Sequence, residues 1–268
     1  MKILFIGEIV GKKGLDTVTG ILPGLIKEES LDFVIANANK IDKGFSIVAE
    51  QADELHAAGV DVITLGDNCL KKKATVDFLE TADAVLRPIN SFYGNPGRGF
   101  VIKGSRDGVP VCVISAFGRT NFKNPVLENP FLAMKRLLNH IAGKAKIVIL
   151  DFHCNATSEK LCMGYYMSGK ITAVVGTNFS TQTSDLRLDE NGTAYITDVG
   201  MVGSRYSVGG YEPQSIIDSY LSGLFPRKKV KTSDYLFNSL IIDVDPGEGK
   251  ATGVETYNFE VDKRSAKN

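Results

Sequence analysis

Short apolar runs alternate with segments of helical periodicity along the first third of the chain. Each apolar run has the length of a buried strand, and each periodic segment has one apolar face. Strands that alternate with helices in this way predict parallel βαβ units. The predicted strands are Lys2–Gly7, Phe33–Asn37 and Asp61–Leu65, and the predicted helices are Leu15–Glu29, Ser46–Ala58 and Lys72–Ala82.

After Arg87-Pro88 the pattern changes, because Ser91–Gly99 is rich in turn residues. Two apolar runs around Arg106-Asp107-Gly108 then predict a hairpin. The remaining pattern continues the α/β alternation and closes with a second hairpin. The first hairpin pairs Phe100–Lys103 with Val111–Ser115, the later helix is Pro130–Ala142, the later strands are Lys146–Asp151, Thr172–Val175 and Ala194–Thr197, and the closing hairpin pairs Phe237–Val244 with Gly253–Val261.

The segment 201–232 differs from this alternation. It is rich in glycine and contains one predicted helix, Pro213–Leu224, followed by the basic run Arg227-Lys228-Lys229. We interpret it as either a small cap or an oligomer contact within a single domain that spans residues 1–268. The basic run is more typical of a solvated face than of a nucleic-acid patch.

Composition narrows the class of protein. The 268 residues are 43% apolar and 23% charged, as in an ordinary globular protein, and 31 basic residues balance 31 acidic ones. That balance argues against binding to nucleic acid through bulk charge. Four cysteines without a C-x-x-C pair do not form a disulfide scaffold, and the early run Ile3–Ile6 is too short for a signal peptide or a membrane span. A cytoplasmic protein without membrane contact is therefore expected.

The chain has only three histidines, His56, His140 and His153. A histidine-rich binuclear metal centre therefore cannot be complete. His56 and His140 fall near the C-terminal ends of predicted helices, where the helix dipole stabilises a cation. We interpret both as structural or surface residues.

Small polar residues follow five of the predicted strands. Ligands bind beyond the carboxyl ends of parallel strands, where successive loops meet, although Asn, Asp and Gly also form ordinary turns. The five positions are Glu8, Asn37-Ala38-Asn39-Lys40, Gly66-Asp67-Asn68, Asp151–Asn155 and Gly176-Thr177-Asn178.

At these loops the sequence resembles the YmdB-type branch of the calcineurin-like metallophosphoesterases. The resemblance runs in order over nearly the whole chain. Six segments carry it: GEIVG (Gly7–Gly11), VIANANK (Val34–Lys40), TLGDN (Thr64–Asn68), DFHCNATSEK (Asp151–Lys160), VVGTNFSTQT (Val174–Thr183) and GTAYITDVGM (Gly192–Met201).

The resemblance implies an α/β fold, a four-layer α/β/β/α sandwich of the metallophosphoesterase type with a small cap segment. It also implies a binuclear-metal phosphodiesterase that acts on cyclic nucleotides and forms homo-oligomers. Eight positions of this sequence match the ligand and general-acid positions of that family: Glu8, Asn39, Lys40, Asp67, Asn68, His153, Asn178 and Ser180.

Most residues at these positions depart from the family pattern. Glu8 stands in place of an Asp ligand, Asn39 in place of the bridging Glu, and Lys40 in place of an Asn ligand. The family's Asn-His pair, a ligand and the general acid, is here Asp67-Asn68, and the two histidines of its GTHTH segment are Asn178 and Ser180. The fourth-loop histidine is kept as His153.

The chemistry of these replacements opposes metal-dependent hydrolysis. Two-metal hydrolysis needs ions held about 3.5–4 Å apart, and the neutral Asn39 is a poor bridge between cations. A protonated Lys40 cannot coordinate a metal, and Asn68 has no proton to give to a leaving alcohol near neutral pH. We therefore assign no catalytic residue in this chain.

We hypothesise that Lys40 replaces a metal ion and bridges Glu8 and Asp67 in a buried polar network. Two carboxylates brought together without a cation would repel each other. The alternative is that the Lys40 side chain turns outward to solvent, as most lysines do.

A reduced metal site is a second alternative. Glu8, Asp67 and His153 are ligand types that could hold one weakly bound divalent ion, Mn, Fe or Zn. Cys69 and Cys154 lie beside site positions and could add a thiolate, but free cysteines are more often small core residues.

Two functions follow from this sequence. The preferred one is a catalytically inactive or strongly impaired homologue without a cofactor, which binds a nucleotide or phosphate ligand in the old cleft or binds a protein partner. The other is an active phosphodiesterase on cyclic nucleotides with a reduced or mononuclear site. A homo-oligomer is expected in either case.

Overall fold

The computed structural model describes residues 1–42, 44–92, 94–121, 128–224 and 228–261. Helices and strands alternate as the apolar pattern predicts. The helices are α1 (Gly11–Glu28), α2 (Ala49–Ala57), α3 (Lys73–Leu79), α4 (Pro130–Ile141), α5 (Thr157–Met167) and α6 (Pro213–Ser222). The strands are β1 (Lys2–Ile6), β2 (Glu8–Ile9), β3 (Phe33–Asn37), β4 (Val62–Thr64), β5 (Val85–Leu86), β6 (Phe100–Gly104), β7 (Pro110–Phe117), β8 (Ile147–His153), β9 (Ala173–Thr177), β10 (Arg187–Leu188), β11 (Ala194–Ile196), β12 (Met201–Ser204), β13 (Tyr235–Phe237), β14 (Ser239–Asp245), β15 (Lys250–Thr256) and β16 (Phe259–Glu260).

Two six-stranded sheets form the centre of the fold. The first has the order β15-β14-β1-β3-β4-β5, and the second has the order β10-β11-β9-β8-β7-β6. In the first sheet β1, β3, β4 and β5 run parallel, and the antiparallel pair β14 and β15 lies at one edge. In the second sheet β7, β8, β9 and β11 run parallel, and the antiparallel strands β6 and β10 form the two edges. The carboxyl ends of β1, β3 and β4 therefore lie together in one sheet, as do those of β8 and β9 in the other.

Three apolar cores separate four layers. One core packs Leu15, Leu22 and Leu55 of the first helices against the outer face of the first sheet. The second core, with Phe5 and Val113, lies between the two sheets, and the third packs α4 and α5 on the outer face of the second sheet. This arrangement is the α/β/β/α sandwich that the resemblance implies.

A small third sheet, in the order β16-β13-β12-β2, was not predicted from the sequence. Its strands have two to four residues, too short for a recognisable alternation. The predicted closing hairpin divides between sheets, because Tyr235–Phe237 pairs with Phe259–Glu260 in the third sheet while Ser239–Asp245 pairs with Lys250–Thr256 in the first.

Two helices also differ from the prediction. Helix α1 begins at Gly11 rather than at Leu15, because Gly14 lets the helix approach β12: a Cβ at Gly14 would lie 3.0 Å from the Val202 carbonyl oxygen. Helix α5 was missed, because its sequence is only weakly amphipathic and contains a fully buried lysine, Lys160.

The segment 201–232 contains β12 and α6 in its described part, and Arg227 lies outside the described residues. Two α6 side chains, Tyr220 and Leu221, are 86% and 81% exposed. The interpretation of this segment as a cap or an oligomer contact stays a prediction. No helix in the described part of the chain is long and apolar enough to cross a bilayer.

Candidate functional site

The predicted site residues meet at one edge of the two large sheets. Glu8 lies on β2, Asn39-Lys40 follow β3, and Asp67-Asn68 follow β4. From the second sheet come His153 at the end of β8, and Asn178 and Ser180 just after β9. The convergence arises because all these parallel strands end on the same side.

The Lys40 ammonium points into the site and not into solvent. Its Nζ lies 2.6 Å from Glu8 Oε2 and donates a hydrogen bond of 3.0 Å to Ser180 Oγ. The Ser180 hydroxyl in turn donates to Glu8 Oε2 over 3.1 Å. Burial lowers the pKa of Lys40, but the charge of Glu8 and the hydrogen bond to it outweigh burial, so the pKa is raised overall. Lys40 is therefore a fixed cation beside a fully buried carboxylate.

Asn39 links the two carboxylates of the site. Its Nδ2 lies 3.0 Å from Asp67 Oδ1 and 3.4 Å from Glu8 Oε1. Its Oδ1 accepts from the backbone N–H groups of Gly66 and Asn68, so the orientation of the amide is defined. At the position where the family is expected to place a carboxylate between two cations, this chain places an N–H donor between two carboxylates.

Of the two contacts predicted for the Lys40 ammonium, the structure shows the ion pair with Glu8. The lysine that pairs with Asp67 is Lys71. Lys71 Nζ lies 2.9 Å from Asp67 Oδ2 and 2.7 Å from Asn68 Oδ1. Burial would raise the pKa of Asp67, but hydrogen bonds from His153, Lys71 and Asn39 hold it well below its usual range. Lys71 was missed because nothing in the sequence marks it apart from the other lysines near α3.

Buried hydrogen bonds through Thr177 to Asp151 orient the His153 ring. Thr177 Oγ1 donates to Asp151 Oδ1 over 2.7 Å and lies 3.1 Å from His153 Nδ1. His153 Nε2 lies 3.4 Å from Asp67 Oδ1. The ring passes directly over Gly66, where a Cβ would come within 2.5 Å of it. His153 therefore has a defined place in the site, between Asp67 and the buried Asp151.

Asn178 and Asn68 stand at the margin of this network. Asn178 donates to Asn155 Oδ1 and, over 3.4 Å, to Cys154 O, while Asn68 Nδ2 donates to Asn39 O over 3.2 Å. Both line a cleft of about 840 Å³ that opens above the network. Four lysines and four aromatic residues also line it: Lys40, Lys71, Lys72, Lys228, Phe45, Phe179, Tyr211 and Tyr220.

The residues present do not fit a binuclear metal centre. The Lys40 ammonium lies against the Glu8 carboxylate, in the place that a metal ion bound to Glu8 would need. The Asn39 amide N–H groups point at the carboxylates of Glu8 and Asp67. Among the residues that the structure describes, no three His, Cys, Asp or Glu side chains are grouped to hold a metal ion. Burial raises the pKa of Cys69 and Cys154 to about 12, so neither thiol is a ready thiolate ligand.

A second lysine–carboxylate pair beneath the cleft was also missed. Lys160 Nζ lies 2.8 Å from Asp198 Oδ2 and donates to Thr177 O over 2.7 Å. Asp198 Oδ2 accepts from the backbone N–H of Phe179 over 2.8 Å. The pair therefore holds the backbone on both sides of Asn178. Both residues lie in segments that carry the family resemblance, but the sequence does not show that they meet.

The other two histidines lie outside the site, and their interpretation as structural or surface residues stays a prediction. His56 lies in the last turn of α2, and its Nδ1 is 2.7 Å from Val60 O. His140 lies in the last turn of α4, with its ring 6.1 Å from that of Phe100. Neither belongs to the cleft.

The layered fold places the chain in the class of α/β/β/α sandwich proteins of the metallophosphoesterase type. Solved structures support this class. A hypothetical protein from Thermus thermophilus has a TM-score of 0.89 at 31% identity and covers 97% of this chain and 99% of its own. A structure from Mycoplasma pneumoniae, described as a novel phosphatase, has a TM-score of 0.90 at 29% identity, with 100% and 96% covered.

The chain belongs to the YmdB-like protein family, whose model matches residues 4–257. A relative from Bacillus subtilis (strain 168), named 2',3'-cyclic-nucleotide 2'-phosphodiesterase, is 36% identical over 95% of this chain and 96% of its own length. A putative phosphatase/phosphodiesterase from Mycoplasma genitalium is 29% identical over 98% of this chain and 94% of its own. The resemblance to the YmdB-type family is therefore confirmed.

Proposed function

We propose that this chain is a metal-independent member of its family, which binds a phosphate-bearing ligand in the cleft and has lost, or nearly lost, hydrolysis. The observation that carries the proposal is the Lys40–Glu8 ion pair, 2.6 Å long, at the position where the family is expected to hold a metal. The ammonium neutralises the buried carboxylate that would otherwise attract a cation.

The general-acid position supports the loss of hydrolysis. Asn68 uses its amide to contact Asn39 O and Lys71, and an amide does not protonate a leaving alcohol near neutral pH. Hydrolysis of a phosphodiester needs a nucleophile, such as a metal-bound water, and an acid that protonates the leaving alcohol. In our proposal the site lacks both groups.

The cleft itself supports binding. A volume of about 840 Å³ suits a small ligand, since such sites usually measure about 300–1,000 Å³. Its lysines offer donors to phosphate oxygens, and its aromatic rings offer stacking surfaces for a base. The name of the Bacillus subtilis relative adds a nucleotide as the ligand class to test first.

The test measures metal and turnover on the same preparation. We expect well below one Mn, Fe or Zn per purified chain, and no Mn-dependent hydrolysis of 2',3'-cyclic nucleotides or bis(p-nitrophenyl) phosphate. Turnover that requires Glu8 or His153 would overturn the proposal.

A matched gain-of-metal variant sharpens this test. Restoring the family residues as a set should create Mn binding, measured by calorimetry, while the parent chain binds none. The set is Glu8→Asp, Asn39→Glu, Lys40→Asn, Asp67→Asn, Asn68→His, Asn178→His and Ser180→His. Equal Mn binding by parent and variant would contradict the replacement of the metal by Lys40.

An active phosphodiesterase with a reduced site is the second candidate. The contact of 3.4 Å between His153 and Asp67 favours it, because both are metal-ligand types, as does the name of the 36% identical relative. Stoichiometric metal together with loss of turnover in His153→Ala would establish it.

A further inference from the structure

A second, smaller cavity adjoins the cleft. It measures about 190 Å³ and shares Asp67 and Lys71 with the cleft. This volume is below that of a whole small-ligand site, about 300 Å³ or more, so the cavity has room for only part of a ligand. Because the two cavities meet at the ion pair between Asp67 and Lys71, a ligand whose charged group lies in the cleft can extend into the smaller cavity.

The walls of this smaller cavity are mainly apolar. Leu70, Pro88, Phe92 and Phe117 supply carbon surface, and the small side chain of Cys69 is buried beside them. Phe92 is 54% exposed and lines this cavity, so its ring is accessible to a ligand. Phe117 is held in place by stacking on His153, with ring centroids 5.8 Å apart.

Two polar side chains complete the lining. Ser91 and Asn95 add a hydroxyl and an amide, which can donate and accept hydrogen bonds at the edge of a planar ring. An apolar slot with an aromatic wall, a few hydrogen-bonding groups at its edge and a lysine at its entrance suits a nucleobase attached to a phosphate.

We propose that this cavity, which we call the Phe92 pocket, binds the base of a nucleotide whose phosphate lies among the lysines of the cleft. The inference rests on the proposed function, because it needs a phosphate-bearing ligand in the cleft. Beyond that function, the inference specifies the position of the base and the residues that recognise it.

Comparing adenosine 5'-monophosphate with ribose 5-phosphate tests the pocket, since the two differ by the base alone. By calorimetry we expect the nucleotide to bind roughly 10-fold more tightly, the effect of about one stacked base. Phe92→Ala should remove this difference and leave the affinity for ribose 5-phosphate unchanged. Leu132→Ala, which truncates another apolar side chain that is also 54% exposed, should change neither affinity.

A fluorescent variant gives an independent readout. The chain has no tryptophan, so Phe92→Trp introduces a single indole in the pocket. We expect adenosine 5'-monophosphate to quench its emission to saturation and ribose 5-phosphate to leave it unchanged. Equal thermal stability of the Phe92 variants and the parent chain would show that the fold is kept.

The outcomes separate the two proposals. If both compounds bind equally well and the indole is not quenched, the Phe92 pocket is overturned while phosphate binding in the cleft stands. If neither they nor inorganic phosphate binds, the phosphate-binding part of the proposed function is wrong and the pocket with it.

Discussion

Two lysine–carboxylate pairs of the described residues each include a fully buried carboxylate, and their surroundings differ. Lys160 and Asp198 are 1% and 0% exposed, and they also hold backbone groups of the loop after β9. Lys40 is 14% exposed at the floor of the cleft, and its ammonium contacts the side chains of Glu8 and Ser180. The first pair is built into the scaffold, whereas the second stands where a ligand can reach it.

This difference shows that the role of a buried ion pair depends on its surroundings. A pair sealed on all sides is costly to break, because the remaining charge is left without water or partner. A pair at a cleft floor can lose one member and gain water or an ion instead. We therefore expect Lys160 to matter mainly for stability and Lys40 mainly for what the cleft can bind.

Lys160→Met should have the largest effect on stability. It leaves Asp198 buried without its cation, a loss of about 3–5 kcal/mol, which corresponds to a fall in Tm of about 10 °C for a protein of this size. Differential scanning calorimetry measures it. Lys160→Met combined with Asp198→Leu should recover part of the loss, and a double variant no more stable than the single one would contradict the role of the pair.

Lys40→Met should lower Tm less, by about half as much, because water in the cleft can solvate Glu8. It should also expose Glu8, Asp67 and His153 to cations, so added Mn should raise the Tm of this variant and not that of the parent. Lys40→Arg, which keeps the charge, serves as the control and should show no such rise. If added Mn does not raise the Tm of Lys40→Met, the result would argue against Lys40 as a substitute for a metal ion.

Lys71→Ala should have the smallest effect. Its pair with Asp67 is half exposed, and such pairs contribute at most about 1 kcal/mol, or a Tm change of about 3 °C or less. Because salt screens exposed pairs, the change should shrink further at high ionic strength. A loss as large as that of Lys160→Met would mean that Asp67 depends on Lys71 for its place in the site.

Much of the fold is predictable from local sequence, since apolar periodicity places the strands and helices of the βαβ units. The elements that were missed have specific reasons. Helix α5 contains the buried Lys160, and the strands of the third sheet are too short to show a pattern. Their formation depends on partners far along the chain, such as Met201 opposite Glu8.

The sequence by itself determined the order of the strands and helices and the residue types in the five loops. It therefore placed Asn39, Lys40 and Asn68 at the loop positions where the family resemblance implies metal ligands and a general acid. Only the tertiary structure decided the contacts: Ser180 meets Glu8 across 172 positions of sequence, and Lys71 and not Lys40 pairs with Asp67. The physical reason is that periodicity is local, whereas the partner of a buried charge is set by the packing of segments distant in the chain.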